Sequence, residues 1–405
     1  MSLEARALDA LDPDALLADA AALVRIPSVT GDERAVMERF AALARERGLH
    51  DATLTEHDLA ALRADPGHPG EEAARTALLG VTAVARGHAG GPRLCLNGHL
   101  DVVAPGTAPW ARDPCSGDLE AGLLHGRGAA DMKGAVAASL HAAAAIAAAG
   151  GAPGDVVVQA VASEEDGGLG TFAALREDGA FAGAVVCEPT AFDVACAQAG
   201  ALTFTGVVPG VGAHAAMRLH GVSAIDRYLP VHAALAALER ELNADVANPL
   251  MAALALPYPV SVGRVRAGEW SSSVPDRLEF EGRAGVPVGV APAAVRARLE
   301  AAVRAACPEA SIAWTGGRFG PAETAVEHPL ARTVLAATSE ELGRAARPVG
   351  VPYGADMRLF RERGIPCVMV GTRGLDRAHA VDEHVPAEDL VRLARILIRV
   401  AARFA

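Results

Sequence analysis

The stretch Leu94-Cys95-Leu96-Asn97-Gly98-His99-Leu100-Asp101 reads as a short buried strand that ends in polar residues. Side chains alternate along a strand, so His99 and Asp101, two apart, point to one face. A His beside a carboxylate at a strand end is an arrangement in which the carboxylate orients a metal-binding imidazole. His-x-Asp also occurs in turns and in satisfied cores, so the pair gains meaning only from its surroundings.

The same grammar recurs downstream. Residues 155–162 are an apolar run ending at Ser163-Glu164-Glu165-Asp166, and residues 184–187 are another ending at Glu188-Pro189. A third strand is expected over 367–371. Helical patterns fall between and after them: an alanine-rich one over 131–149, then 171–176, 329–342, 357–363 and 388–404. Strands alternating with helices imply an α/β fold, a mostly parallel sheet with helices on both faces. Sites in such sheets lie beyond the carboxyl ends of the strands, where Asp101, Glu164, Glu165 and Glu188 all fall. Nearer the start, residues 11–25 have helical periodicity. Thr30-Gly31-Asp32-Glu33 resembles a capping box opening a helix over 32–47. Residues 102–128 are rich in Gly and Pro and are expected as a long loop.

From Ala201 the pattern changes. A strand (202–208), a helix (223–242), two strands (259–266 and 277–286), a helix (291–306) and a strand (311–315) follow the order of the split βαβ motif. The expected organisation is a discontinuous domain, 1–200 and 318–405, interrupted by an α+β ferredoxin-like domain over 201–317.

A chain of 405 residues is too long for one ordinary core, which agrees with two domains. Hydrophobic residues make up 51% and charged residues 21%, the balance of a globular chain rather than a disordered one. The formal net charge of -12 argues against nucleic acid or an anionic membrane as partner. The six cysteines contain no CxxC pair, as expected for small buried side chains in a reducing compartment. The first residues lack a basic-then-apolar pattern, so no signal peptide is expected, and the alanine-rich run is too weakly apolar to span a bilayer. A cytoplasmic location follows as an expectation.

The polar residues at the strand ends are of one kind. With Asp131 at a helix start and His379 near the C-terminus, the set holds two His and several carboxylates, the ligand types of zinc or a similar divalent ion. Two His and three carboxylates exceed one tetrahedral ion with an open position; they suit two ions sharing a bridging carboxylate, roughly 3.5–4 Å apart. Singly, each residue has a blander reading. Asp131 could cap the alanine-rich helix, and Glu188 could close a turn before Pro189. Glu164-Glu165-Asp166 could be a solvated turn, although adjacent carboxylates repel and favour a cation.

Asn97-Gly98-His99-Leu100-Asp101, Gly126-Arg127-Gly128-Ala129-Ala130-Asp131-Met132-Lys133-Gly134, Glu164-Glu165 and Cys187-Glu188-Pro189-Thr190 together resemble one family. It is the di-zinc metallopeptidases that include acetylornithine deacetylase, succinyl-diaminopimelate desuccinylase, aminoacylase and the glutamate carboxypeptidases. The resemblance implies a zinc-dependent exopeptidase-like fold and two zinc ions, with cobalt as the alternative. Asp131 would bridge the ions, His99 and Glu188 would complete one site, and Glu165 and His379 the other. Asp101 would orient His99. Glu164 would be the general base toward a metal-bridging water and would later protonate the leaving amine. The inserted domain would pair two subunits into a homodimer and send His214 into the partner's active site. Arg283 would hold a substrate carboxylate, with Ser272, Gly354 and Arg358 as further substrate contacts; Ser272 stands where several relatives have asparagine. Trp270 to Asp276 is more similar to the acetylornithine deacetylase branch than to the aminoacylase branch. The implied activity is hydrolysis of an N-acyl amide of an amino acid or related small amine. A desuccinylase, an N-formyl or N-carbamoyl amide hydrolase, a dipeptidase and a non-catalytic metal-binding homologue stand as alternatives. His384 looks ligand-like beside Asp382 and Glu383, but the family pattern puts the ligand just before that pair, at His379.

Overall fold

The computed structural model describes residues 1–404. It divides into two compact units: Met1–Cys196 with Glu323–Val349 and Ala355–Ala405, and Ala197–Ala322 with Gly350–Gly354. The short segment Gly350–Gly354 thus belongs with the inserted unit, whereas the sequence pattern assigns it to the first.

The first unit is built on one sheet. Seven strands of this nine-stranded sheet run in the spatial order Thr53–Glu56, Leu79–Ala85, Val156–Val161, Leu94–His99, Gly183–Val186, Cys367–Met369, Val194–Gln198. The central four are parallel, and antiparallel neighbours flank them. All six residues of Leu94–His99 and of Val156–Val161 are buried, as strands covered on both faces must be. Helix Gly134–Ala148 lies against these strands and against helices Pro13–Val24 and Ala387–Arg403. It is apolar on every side and almost wholly buried, and its alanines let those neighbours approach closely. The last helix is amphipathic and lays Leu390, Leu393, Ile396, Leu397 and Val400 into the core. Each such burial contributes about 1.5–3 kcal/mol.

Three expectations change here. The alanine-rich helix starts at Gly134, not at Asp131. Residues Ala129–Lys133 form an irregular turn in which Asp131 is extended (φ -128°, ψ 96°), and the Asp131–Met132 peptide is cis. Glu383 holds this turn: its Oε1 accepts N–H bonds from Gly128, Ala130 and Asp131. Next, the helix expected over 32–47 is Arg34–Glu46, and no side chain caps it. The would-be capping residues face elsewhere: Glu33 accepts from the Gly31 N–H at 2.7 Å, and Thr30 Oγ1 donates to Asp101. Finally, the loop over 102–128 contains strands Leu119–Glu120 and Leu123–His125, which form a small sheet with His384–Pro386.

The second unit has the split βαβ order. Its four strands lie in the spatial order Val260–Ala267, Arg277–Val286, Gly200–Pro209, Ser311–Phe319, all antiparallel. Helices Ala224–Leu242 and Pro292–Ala306 pack with each other and against the sheet. Phe204, Phe280 and Tyr228 centre its core, with Phe204 edge-on to Phe280 at 6.2 Å. Among the described residues no helix is long and apolar enough to cross a membrane.

Candidate metal centre

Three neighbouring parallel strands end at the same edge of the sheet. Leu94–His99 is followed by Asp101, Val156–Val161 by Ser163 to Asp166, and Gly183–Val186 by Glu188. Adjacent strands lie about 4.8 Å apart, so residues at their ends meet without any further device. Asp131 comes from the irregular turn before helix Gly134–Ala148. His379 comes from the segment between Cys367–Met369 and His384–Pro386.

Two groups of candidate ligands result, and they share a residue. Ligand atoms of His99, Asp131 and Glu188 lie within 4.8 Å of one another, as do those of Asp131, Glu165 and His379. His99 Nε2 is 3.1 Å from Asp131 Oδ1, and His379 Nε2 is 3.0 Å from Glu165 Oε1 and 3.5 Å from Asp131 Oδ2. Each oxygen of the Asp131 carboxylate therefore faces a different imidazole. His99 is buried, whereas the His379 side chain is half exposed.

The supports of the two imidazoles differ. His99 Nδ1 lies 2.8 Å from the main-chain oxygen of Asp101, which holds the ring with Nε2 toward Asp131. The Asp101 carboxylate is 3.7 Å away from Nδ1 and is occupied otherwise. It accepts the N–H groups of Glu164 and Glu165, each at 3.2 Å, and the Thr30 hydroxyl at 3.0 Å. The main chain of Asp101 thus holds His99 directly, while its carboxylate holds the glutamate turn and acts on His99 by charge from 3.7 Å. His379 has left-handed backbone (φ 61°). Arg127 stabilises it by donating to His379 O at 3.2 Å and to Glu383 Oε2 at 2.5 Å. Glu383, fully buried, thus binds the His379 segment to the Asp131 turn. Sequence reading used it only to choose between His379 and His384; its place after a His and before an apolar strand was the available signal.

The charges do not balance internally. Burial, then the nearby Asp131, pushes the Glu188 carboxyl up to about 8. Burial, then Glu188 and Asp356, raises Glu164 well above the ordinary range. Burial also raises Glu165, although His379 opposes it. For Asp131 burial acts upward too, but hydrogen bonds from His379 and His99 outweigh it and hold the carboxyl low. Asp131 and Glu165 in turn hold the His379 imidazolium up to about 10. Carboxylates driven toward neutrality by burial and by one another suit a site that receives divalent cations. The donor set, imidazole nitrogen and carboxylate oxygen, fits zinc-type ions.

The remaining candidates are placed as follows. Arg358 is buried, its guanidinium donating to Gly167 O at 2.6 Å and Ala355 O at 3.0 Å and lying 3.4 Å from Asp356 Oδ1. In this position it is an internal strut behind the glutamate turn. In the second unit His214 is exposed, on the short pairing of Ala213–His214 with Ser273–Val274. Ser272 is exposed and its main-chain oxygen accepts from Ala215 N at 2.9 Å. Arg283 is partly buried and donates to Pro352 O at 3.4 Å. Gly354 is crowded: a Cβ there would lie 2.5 Å from Phe319 Cβ. His384, 5.5 Å from His125 between ring centres, stays outside both candidate groups.

Residues 95–403 match the model of peptidase family M20/M25/M40. The chain belongs to this family of metal-dependent hydrolases that act on amide bonds. Among its relatives, the succinyl-diaminopimelate desuccinylase of Gluconacetobacter diazotrophicus is 31% identical, over 92% of this chain and 93% of that protein. The succinyl-diaminopimelate desuccinylase of Methylocella silvestris is 28% identical, over 92% and 94%. Human carnosine dipeptidase 1 shares the fold, with a TM-score of 0.77 at 13% identity over 99% of this chain and 98% of that one.

Proposed function

We propose that this chain is a di-zinc hydrolase of an N-acyl amide carried by an amino acid. The observation that carries the reading is the Asp131 carboxylate, whose two oxygens face two imidazoles in two separate ligand groups. His99, Asp131 and Glu188 would hold one ion, and Asp131, Glu165 and His379 the other; cobalt is the alternative to zinc. When bound, such ions polarise an amide carbonyl and make water nucleophilic near neutral pH.

Glu164 is the general base. It sits beside the ligand groups but belongs to neither, and its raised affinity for a proton suits a group that takes one from water and hands it to a leaving amine. His214 polarises the carbonyl oxygen from the partner subunit of a homodimer formed through the second unit. Its Nδ1 accepts the Ala216 N–H at 3.1 Å, so the neutral ring carries its proton on Nε2 as a donor. Arg283 has no carboxylate within ion-pair distance among the described residues, and its planar fork suits a substrate carboxylate. Ser272 and Gly354 line the substrate. The enzyme works in the cytoplasm.

For the substrate, the relatives named succinyl-diaminopimelate desuccinylase favour an N-succinyl amide over the N-acetyl amide that the Trp270–Asp276 resemblance suggests. The test is a panel of N-succinyl-diaminopimelate, N-acetylornithine, N-formyl and N-carbamoyl amino acids and dipeptides. It is run with wild type and Glu164→Gln after chelation and zinc or cobalt add-back. Expected are fastest turnover on the succinyl amide and a loss of about 10²–10⁴-fold in Glu164→Gln with both metals retained. Near-wild-type turnover in that variant removes the base assignment, and no hydrolysis across the panel with two metals bound favours a binding protein. Full activity in a strict monomer removes the role given to His214.

A further inference from the structure

The turn carrying Glu164 and Glu165 has left-handed backbone at Ser163 (φ 66°) and must be held from outside to keep it. Asp101 and Arg358 hold two sides of it, as described. A third hold comes from residues 71–75, an irregular stretch between helix Leu59–Arg63 and strand Leu79–Ala85. Asp166 Oδ2 accepts the N–H groups of Glu72 at 3.0 Å and Ala73 at 2.8 Å. Arg75 Nη2 donates to both Asp166 oxygens, at 3.1 and 3.0 Å. The Ser163 hydroxyl donates to the same carboxylate.

Arg75 also reaches the turn by a second route. Its side chain has no exposed surface, and its Nη1 is 3.4 Å from Glu33 Oε1. Glu33 holds the Gly31 N–H at 2.7 Å, and the neighbouring Thr30 hydroxyl donates to Asp101, which in turn accepts from Glu164 N and Glu165 N. Arg75 Nε faces Glu71 Oε2 at 3.4 Å. Three nitrogens of one guanidinium thus address three carboxylates, which a single ammonium group cannot do. A buried arginine on an irregular segment is costly to desolvate, and here its partners converge on the back of one short turn.

We infer that Arg75 is a positioning residue for Glu164 and Glu165, acting through Asp166 and through the Glu33–Asp101 side of the turn; the inference rests on the reading of Glu164 as the base. It touches neither ligand group directly. Its contribution is the aim of the glutamate turn, and small misplacement of a reacting group costs up to about 10²-fold in rate.

The experiment compares Arg75→Lys and Asp166→Asn with wild type in the metal-loaded full chain, reading kcat, KM, bound zinc and thermal midpoint. Expected in Arg75→Lys are a kcat lowered about 30–100-fold, a KM within about twofold and two equivalents of zinc retained. Asp166→Asn keeps the shape and, with its amide oxygen in the Oδ2 place, the acceptor for the Glu72 and Ala73 N–H groups, but loses the ion pair and one acceptor, and its kcat should fall about tenfold with the same unchanged KM. A kcat within about twofold of wild type in a folded Arg75→Lys overturns the inference; should that variant fail to fold, the same result in Asp166→Asn does so. Glu164→Gln run alongside separates the two readings. Full turnover there removes the base, whereas inactivity there with unaltered Arg75→Lys and Asp166→Asn removes only the role of Arg75.

Discussion

The first unit holds two buried clusters of ionisable residues, and one carboxylate in each is shifted the opposite way. In one, Asp19 accepts from Arg47 at 2.7 and 2.9 Å and lies 2.8 Å from His141 on the alanine-rich helix. Burial alone would raise the Asp19 carboxyl, but His141 and Arg47 outweigh it and bring it down to about 2. In the other, Glu188 is pushed up to about 8 by burial and by Asp131. One acid is compensated by its cationic neighbours; the other is left with burial and Asp131 outweighing His99. Asp131 in the second cluster is held low by His379 and His99 as Asp19 is by His141 and Arg47, so the two clusters differ at Glu188, which no cation of the protein reaches closely enough to offset burial.

The hardest test of that contrast is Asp131→Ala. It deletes the residue common to both ligand groups, so both equivalents of zinc should be lost and hydrolysis should fall about 10³-fold or more. Metal analysis of dialysed protein together with the rate checks it; one ion bound at full affinity would break the sharing. Glu383→Gln should come next, lowering zinc affinity or turnover by about 10–100-fold, because it releases the Asp131 turn and the His379 segment without removing a ligand.

Protons sharpen the contrast further. Glu188 in the chelated protein has a folded pKa above its unfolded value, so its contribution is present at low pH and is lost as pH rises from about 4.5 through about 8. His379, held up to about 10, adds loss of the same sign above about 6.5. Asp19 has a folded pKa below its unfolded value, so its contribution is present above about 4 and is lost as pH falls toward about 2. Thermal midpoints across pH should therefore fall between pH 5 and 8 in chelated protein, and flatten when zinc is restored. The smallest effect belongs to Asp19→Asn: about 1–3 kcal/mol of stability by urea titration, with metal content and kcat unchanged.

Much of this centre was legible in the sequence because three of its residues follow apolar strands. His99, Glu165 and Glu188 are where strand ends put them once the strands are neighbours. Asp131 was found as a residue but not as a conformation. The helical pattern begins at it, whereas the chain keeps an irregular turn there whose Gly128, Ala130 and Asp131 N–H groups bond to Glu383, far along the chain. The same gap explains Thr30 and Glu33, which match a local capping pattern yet serve Asp101 and Arg75. Arg358 shows in sequence as a charge, without the Gly167 and Ala355 carbonyls that it meets in the fold. Arg75 lies in a stretch with no periodicity, and its partners Glu33 and Asp166 are distant in sequence. Local pattern carried the strands and helices; residues whose partners lie across the fold had no local pattern to betray them.

The Glu383–Arg127 clamp has a consequence for the order in which the molecule matures. His99 is made early and His379 late, and at ordinary ribosome speeds the interval is on the order of tens of seconds. Until Glu383 is made, the Asp131 turn, which both ligand groups share, lacks the carboxylate that holds it. The second group, and the left-handed backbone that presents His379, must wait for Glu383 to arrive. A chain that stops short of Glu383 therefore lacks the carboxylate that holds both the Asp131 turn and, through Arg127, the His379 segment.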